Sequence, residues 1–118
     1  MARLADIEAE DQLPVVMVNS HGLITRVNRE FERLFGWTSA EVFGKPLTII
    51  IPPSLREAHQ AGFSRLLVTN QPRLLNQPIR LKAVNKAGRE FIAEHFIVGE
   101  RHGGEWFFGA TIREVPPR

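Results

Sequence analysis

The last third of the chain constrains the fold most, because its side chains alternate between apolar and polar over three successive stretches. The alternation runs from Ile79 to Val115 and is interrupted at 85–88 and at 102–104, both of which contain glycine. A period of two is typical of half-buried strands, and short glycine turns between such strands join antiparallel neighbours. The pattern therefore predicts three antiparallel strands connected by two hairpins.

The first half adds two shorter strands and several short helices. Residues 15–27 predict a brief hairpin, and Asn28 and Gly36 are suited to cap the two ends of a following helix. A second short helix begins at Thr38, and two prolines introduce a longer one over 54–70. This order of elements predicts an α+β fold with helices packed over one face of a five-stranded antiparallel sheet.

The composition narrows the function. A chain of 118 residues that is 43% hydrophobic and 24% charged is expected to form one globular domain. It contains no cysteine, which excludes disulfides, thiolate catalysis and cysteine–zinc sites. The net charge is only +2 and the basic residues are dispersed among acidic ones, so we expect no nucleic-acid partner.

Expectations about localisation and catalysis come from motifs that the sequence does not contain. No apolar run has the length of a membrane span and the N-terminus has no signal-peptide core, so we expect a cytoplasmic domain without membrane contact. The sequence has no G-x-S-x-G, no P-loop and no G-x-G-x-x-G after a strand. We therefore expect a protein that is not an enzyme.

The four histidines fall into two groups. His21 and His102 lie beside glycines in predicted turns, where a solvated side chain is the natural interpretation. His59 lies on the apolar face of the long predicted helix, which it shares with Leu55, Gly62, Phe63 and Leu66. His95 shares the expected inward face of its strand with Phe91, Ala93 and Ile97.

Two imidazoles are thus predicted to project into one apolar interior from opposite walls. Buried imidazoles are unfavourable unless something pairs with them. A planar, apolar, metal-bearing cofactor would satisfy both, with His59 and His95 as candidate metal ligands. In the alternative interpretation, His59 is a structural core residue that bonds to a backbone carbonyl.

Several motifs resemble those of PAS domains. The pattern N-x-x-F-x-x-L-F-G-W-T-x-x-E-x-x-G-K begins at Asn28, and "IPPSLREAHQAGFSRL" and "NKAGREF" follow in the order found in that family. The resemblance implies a PAS domain over residues 12–115, preceded by an N-terminal cap helix at 1–11 and followed by a tail at 116–118 toward a possible output module. It also implies a salt bridge between Glu41 and Lys86.

Within this family, the long helix resembles that of the heme-binding PAS domains of rhizobial oxygen-sensor kinases. The segment "AHQAGFSR" matches their R-H-x-x-x-x-S-R pattern from the histidine onward. The resemblance implies a b-type heme that senses a diatomic gas or redox state. It makes His59 the proximal ligand of the iron, and it places Arg65 and Arg73 near the heme propionates.

The opposite side of the cup departs from that pattern. The distal arginine of the oxygen-sensor kinases falls on Ile79 here, while the adjacent Arg80 is expected to point to the other face. The family's distal aliphatic positions fall on Leu74, His95 and Ile97. His95 thus replaces a leucine, and the resemblance implies either a hydrogen bond to a bound gas or a second axial ligand.

The family resemblance also implies partners. An output domain such as a histidine kinase or a cyclase is expected, together with a homodimer through the outer sheet face and the N-terminal helix. Phe96 and Phe107 lie on that face, and Leu4 and Ile7 form one side of the helix. The alternative is an interaction or dimerisation module whose cup is empty or holds a different small ligand.

Overall fold

The computed structural model describes residues 3–61 and 76–116 of the chain. Five strands form one antiparallel sheet in the order β2-β1-β5-β4-β3. The strands are β1 (Val15–Val18), β2 (Ile24–Val27), β3 (Pro78–Val84), β4 (Glu90–His102) and β5 (Glu105–Glu114). The predicted α+β class and five-stranded antiparallel sheet are confirmed.

Three α-helices lie wholly within the described part of the chain: α1 (Leu4–Ala9), α2 (Arg29–Phe35) and α3 (Ser39–Val42). Two 3-10 turns follow at Leu47–Ile50 and Pro53–Leu55. Residues 56–61 are helical, as predicted for the start of the long helix, whereas the rest of that predicted helix lies outside the described residues. Leu55 was expected on the apolar face of that helix, but it is 40% exposed in the 3-10 turn.

The ends of α2 follow from capping chemistry. The Asn28 side chain accepts a hydrogen bond from the Phe31 N–H at 2.9 Å, which satisfies one of the free donors of the first turn. The same side chain accepts the Val15 N–H at 2.9 Å and so ties the helix to β1. Gly36 ends the helix with φ of 74°, a left-handed conformation that glycine adopts without strain.

Two contacts of Lys86 join α2 and α3 to the β3–β4 hairpin. The Lys86 backbone N–H donates to the Phe35 carbonyl at 2.8 Å. The Lys86 ammonium lies 2.5 Å from a carboxylate oxygen of Glu41, which confirms the predicted salt bridge. Both side chains are largely exposed, so this pair orients the hairpin more than it stabilises the fold.

The sheet separates two apolar clusters. The larger one fills the space between the sheet and the helices α2 and α3, and we call this space the cup. Phe108, Ala110 and Ile112 of β5 belong to it, as their alternation predicts. The smaller cluster lies on the outer face, where Ile7 of α1 packs with Val15, Met17 and Val98.

Candidate functional site

His95 is the one described polar side chain that is fully buried in the core, with 5% of its surface exposed. It lies on the inward face of β4, opposite Ile112 of β5 and Ile79 of β3. Its Nδ1 is 3.1 Å from the Ala93 carbonyl oxygen. Since a carbonyl only accepts, Nδ1 carries the proton and donates it to this bond, and Nε2 retains a free lone pair.

His59 reaches the same cavity from the helical residues 56–61 and is half-buried. Burial lowers the pKa of the His59 imidazole below its ordinary value. Burial also lowers the pKa of His95; the bond to Ala93 opposes this shift, and the nearby charge that His59 can carry adds to it. Both rings are therefore neutral at pH 7, and neutral imidazole is the form that binds metal.

The two imidazoles line one cavity of the cup, which has a volume of about 60 Å³. Every other described side chain in its wall is apolar. These residues come from β1, β3, β4, β5 and the segment at 47–51: Val16, Val18, Leu47, Ile50, Ile51, Leu81, Ile97, Phe108, Ala110 and Ile112, together with the Gly109 backbone. The prediction that His59 and His95 face one interior from different elements agrees with this arrangement.

The other predicted site residues are placed as follows. Ile97 lines the cavity. Ile79 shares the cup face of β3, although it is Leu81 of that strand that belongs to the described cavity wall. Arg80 points to the opposite face, as expected, where its Nε is 3.7 Å from the Glu94 carboxylate. Arg65, Arg73 and Leu74 lie outside the described residues.

Two parts of the wall are absent from the sequence-based prediction. Val16 and Val18 of β1 line the cavity, yet all four residues of that strand are buried, so their pattern gave no preferred face. The segment at 47–51 contributes Leu47 and Ile50 from its 3-10 turn and Ile51 from the residue that ends the turn. The sequence signal that could have indicated this part of the wall is the run of mostly apolar residues between Pro46 and Pro52.

The outer face directly behind the cup is covered by α1. Leu4 and Ile7 pack there, and Phe96 packs against the same cluster. A Cβ at Gly109 would lie 2.7 Å from the Met17 sulfur, 3.0 Å from Leu4 Cδ1 and 3.1 Å from Ile7 Cγ2. A side chain at this position would therefore require Met17 to shift and the two α1 side chains to give by a few tenths of an ångström.

Hydrogen bonds add to this docking of α1. The Leu4 N–H donates to the Glu100 carboxylate at 2.8 Å, and this bond is the main reason that the pKa of Glu100 is lowered. The Arg3 guanidinium lies 3.9 Å from the same carboxylate. The first turn of α1 is thus attached to β4. Phe107, the other predicted residue of this face, is half-buried near the β4–β5 hairpin, with its ring centre 6.2 Å from that of His102.

Other kinds of site find little support in the described ranges. Within residues 3–61 and 76–116, no group of three or more histidine, aspartate or glutamate side chains is placed to hold a metal ion. No helix of these ranges is both long and apolar enough to cross a membrane.

The family model described as PAS fold matches residues 12–115, and the five-stranded antiparallel sheet with its helix-covered cup agrees with that fold. The chain belongs to the PAS family.

Two curated relatives are similar over most of the chain. An uncharacterized protein of Azorhizobium caulinodans is 31% identical over 105 residues, which are 88% of this chain and 14% of that protein. Sensor protein FixL of Bradyrhizobium diazoefficiens is 28% identical over 102 residues, which are 86% of this chain and 20% of that protein. The chain thus spans a fifth or less of the length of these relatives.

Solved structures share the fold. A PAS domain from Colwellia psychrerythraea superposes with a TM-score of 0.70 at 16% identity, covering 86% of this chain and 85% of that one. A light-oxygen-voltage (LOV) protein of Rhodobacter sphaeroides superposes with a TM-score of 0.70 at 12% identity, covering 92% of this chain and 62% of that one. At these identities the likeness describes the fold alone.

Proposed function

We propose that this PAS domain is a sensor that binds a b-type heme in its cup, with His59 as an axial ligand of the iron. The observation that carries the proposal is the pair of neutral imidazoles lining one apolar cavity. Imidazole is a common axial ligand of heme iron, and an apolar wall suits the porphyrin ring. When bound, the heme supplies an iron centre that responds to a diatomic gas or to redox state.

The residues of the cup fit this group by their chemistry. The described side chains of the wall offer two nitrogen ligands and no acidic or basic residue that would compete for the iron. The pattern "AHQAGFSR" around His59, which resembles that of heme-binding PAS domains, supports the same ligand. Arg65 and Arg73 are the proposed partners of the propionates.

The volume of the cavity sets a condition on binding. Pockets for ligands of drug size enclose roughly 300–1,000 Å³, whereas this cavity has about 60 Å³. The cup must therefore widen to admit a heme. Leu81 lines the cavity on the edge strand β3 and is 37% exposed, so this part of the wall also contacts solvent.

The same volume favours a second candidate, a PAS interaction module whose cup holds a much smaller ligand or none. In that case His59 is a structural residue and the Ala93 carbonyl is the partner that His95 needs. The two candidates differ in colour. Purified protein that is titrated with hemin should develop a Soret band that saturates at one heme per chain, whereas a protein that stays colourless excludes the heme sensor.

We further propose that the domain passes its signal to an output domain, such as a histidine kinase or a cyclase, and has no catalytic activity of its own. Support comes from the relatives, of which one carries the name of a sensor protein and both are several times longer than this chain. Gly109 offers a path for the signal, because its backbone lines the cavity while α1 packs on its other side.

A homodimer through the outer face is the proposed assembly. The part of this face around Phe96 is occupied by α1, which leaves Phe107 and the end of α1 as the contact with a second subunit. Replacing Phe107 with glutamate should then weaken self-association, because it places a charge in an apolar contact. Sedimentation velocity over a concentration series measures this change.

Phe43→Glu is a matched control for that experiment, because Phe43 is 69% exposed and follows α3 on the other side of the sheet. The control should associate like the original protein. An original protein that remains monomeric at high concentration contradicts the proposed dimer.

A further inference from the structure

The strand β3 has an open edge in the described part of the chain. It is the last strand of the sheet and pairs along one side with β4, whereas no described strand pairs with its other side. Residues 78–82 of this strand are exposed or partly exposed. The opposite edge strand, β2, is covered at its start, because the Ile24 N–H donates to the Lys45 carbonyl and the Ile24 carbonyl accepts the Gly44 N–H. A further strand can therefore pair at β3.

The hydrogen-bond pattern of the hairpin shows which backbone groups face that open edge. The Asn85 N–H donates to the Arg89 carbonyl at 3.0 Å, where the two strands meet the turn. In an antiparallel pair, residues that bond to the partner strand alternate with residues whose N–H and C=O point away from it. Every second residue back from Asn85 thus bonds to β4, Leu81 among them. Arg80 and Lys82 direct their backbone groups to the open edge, where an added strand can bond to them.

The side chains of the same two residues give this edge an excess of positive charge. Both lie on the outer face of the sheet, and each is 56% exposed. Arg80 is 3.7 Å from the Glu94 carboxylate and Lys82 is 4.0 Å from that of Glu90. Glu94 is closer to Arg113, at 3.2 Å. Three cations here share two carboxylates, so the outer side of the edge attracts further acidic groups.

This pattern selects the kind of strand that can pair. Residues that lie opposite Arg80 and Lys82 are favoured when they are acidic, because opposite charges attract across neighbouring strands. The residue between them lies beside Leu81, which faces the cup and is 37% exposed, and an apolar side chain suits that position. A second copy of β3 that pairs antiparallel about Leu81 would instead place Arg80 opposite Lys82. Like charges in that position are destabilising and oppose self-pairing.

We propose that the open edge of β3 binds an extended segment of a partner protein in which an apolar residue stands between two acidic ones. The segment adds to the sheet as a further strand, with backbone hydrogen bonds for affinity and its acidic side chains for specificity. The proposal does not depend on what the cup holds. Leu81 also lines the cavity, so the bound segment and the cup share one wall residue.

Fluorescence anisotropy of labelled peptides added to the full chain tests the proposal. The probe is a peptide in which glutamate and valine alternate over the length of β3, and the matched peptide carries lysine in place of glutamate. The glutamate peptide should bind saturably, whereas the lysine peptide should not. A glutamate peptide that is N-methylated at alternate residues lacks backbone donors and should also fail to bind, because strand addition requires those donors.

Charge reversal in the protein locates the site. The double variant Arg80→Glu/Lys82→Glu should bind the glutamate peptide about tenfold more weakly, since two attractive cross-strand pairs become repulsive. Arg26→Glu is the matched control, because Arg26 is an exposed cation on the other edge strand, and its affinity should equal that of the original protein. In the original protein, the bound peptide should slow amide exchange at Arg80 and Lys82 and leave Leu81 unchanged.

Several results would overturn the proposal. These are a glutamate peptide that does not bind, equal binding of the glutamate and lysine peptides, and undiminished binding after N-methylation. A double variant with the affinity of the Arg26→Glu control would place the contact elsewhere and would equally contradict an open-edge site.

Discussion

Replacing His59 with alanine is expected to abolish stable heme binding. The substitution removes the imidazole that is proposed to bind the iron, and the chain has no cysteine that could replace it. Met17 cannot do so either, since it packs on the outer face of the sheet. Gel filtration after hemin loading should separate the variant from its heme, whereas the original protein should keep its Soret band.

Two controls separate ligand loss from unfolding. His21→Ala removes an exposed imidazole from the β1–β2 turn and should keep the heme. Thermal unfolding of apo His59→Ala should show a folded domain, because His59 is only half-buried. A folded His59→Ala protein that retains heme as firmly as the original would contradict the role of His59 and would leave His95 as the candidate ligand.

Replacing Gly109 with alanine is expected to loosen the packing of α1 against the sheet. The added methyl would lie 2.7 Å from the Met17 sulfur and about as close to Leu4 and Ile7, and all three belong to or pack on the outer cluster. Adding a methyl group to a well-packed core typically costs 1–3 kcal/mol, and α1 is the element that can move away. Urea denaturation should show this loss of stability, and amide exchange should become faster in residues 4–9.

A second substitution, Met17→Ala, tests whether the contact with the Met17 side chain causes the loss of stability. It removes the nearest atom, so the double variant Gly109→Ala/Met17→Ala should lose less stability than the sum of the two single variants. Thr111→Ala, two residues farther along β5 on the same face, is the control for a general effect on the strand. Unchanged exchange in α1 would show that Gly109 does not control its docking.

Much of the site follows from local sequence. Alternation along β4 is sufficient to place His95 on the inward face, because side chains of a strand alternate between faces whatever their neighbours are. The capping residues Asn28 and Gly36 define α2 for a similarly local reason, since each satisfies backbone groups within one turn of itself. Turn glycines at 88 and 103–104 likewise mark the two hairpins.

The tertiary structure decided what depends on pairing between distant segments. The position of β1 beside β5 makes Val16 and Val18 a wall of the cup, and a strand buried on both faces carries no sign of this in its own pattern. The point along a strand at which the cavity lies also depends on distant segments. Alternation along β3 therefore could not tell that Leu81 rather than Ile79 belongs to the described wall. The need for glycine at 109 arises only where α1 crosses β5, because its steric reason lies in residues about a hundred positions away.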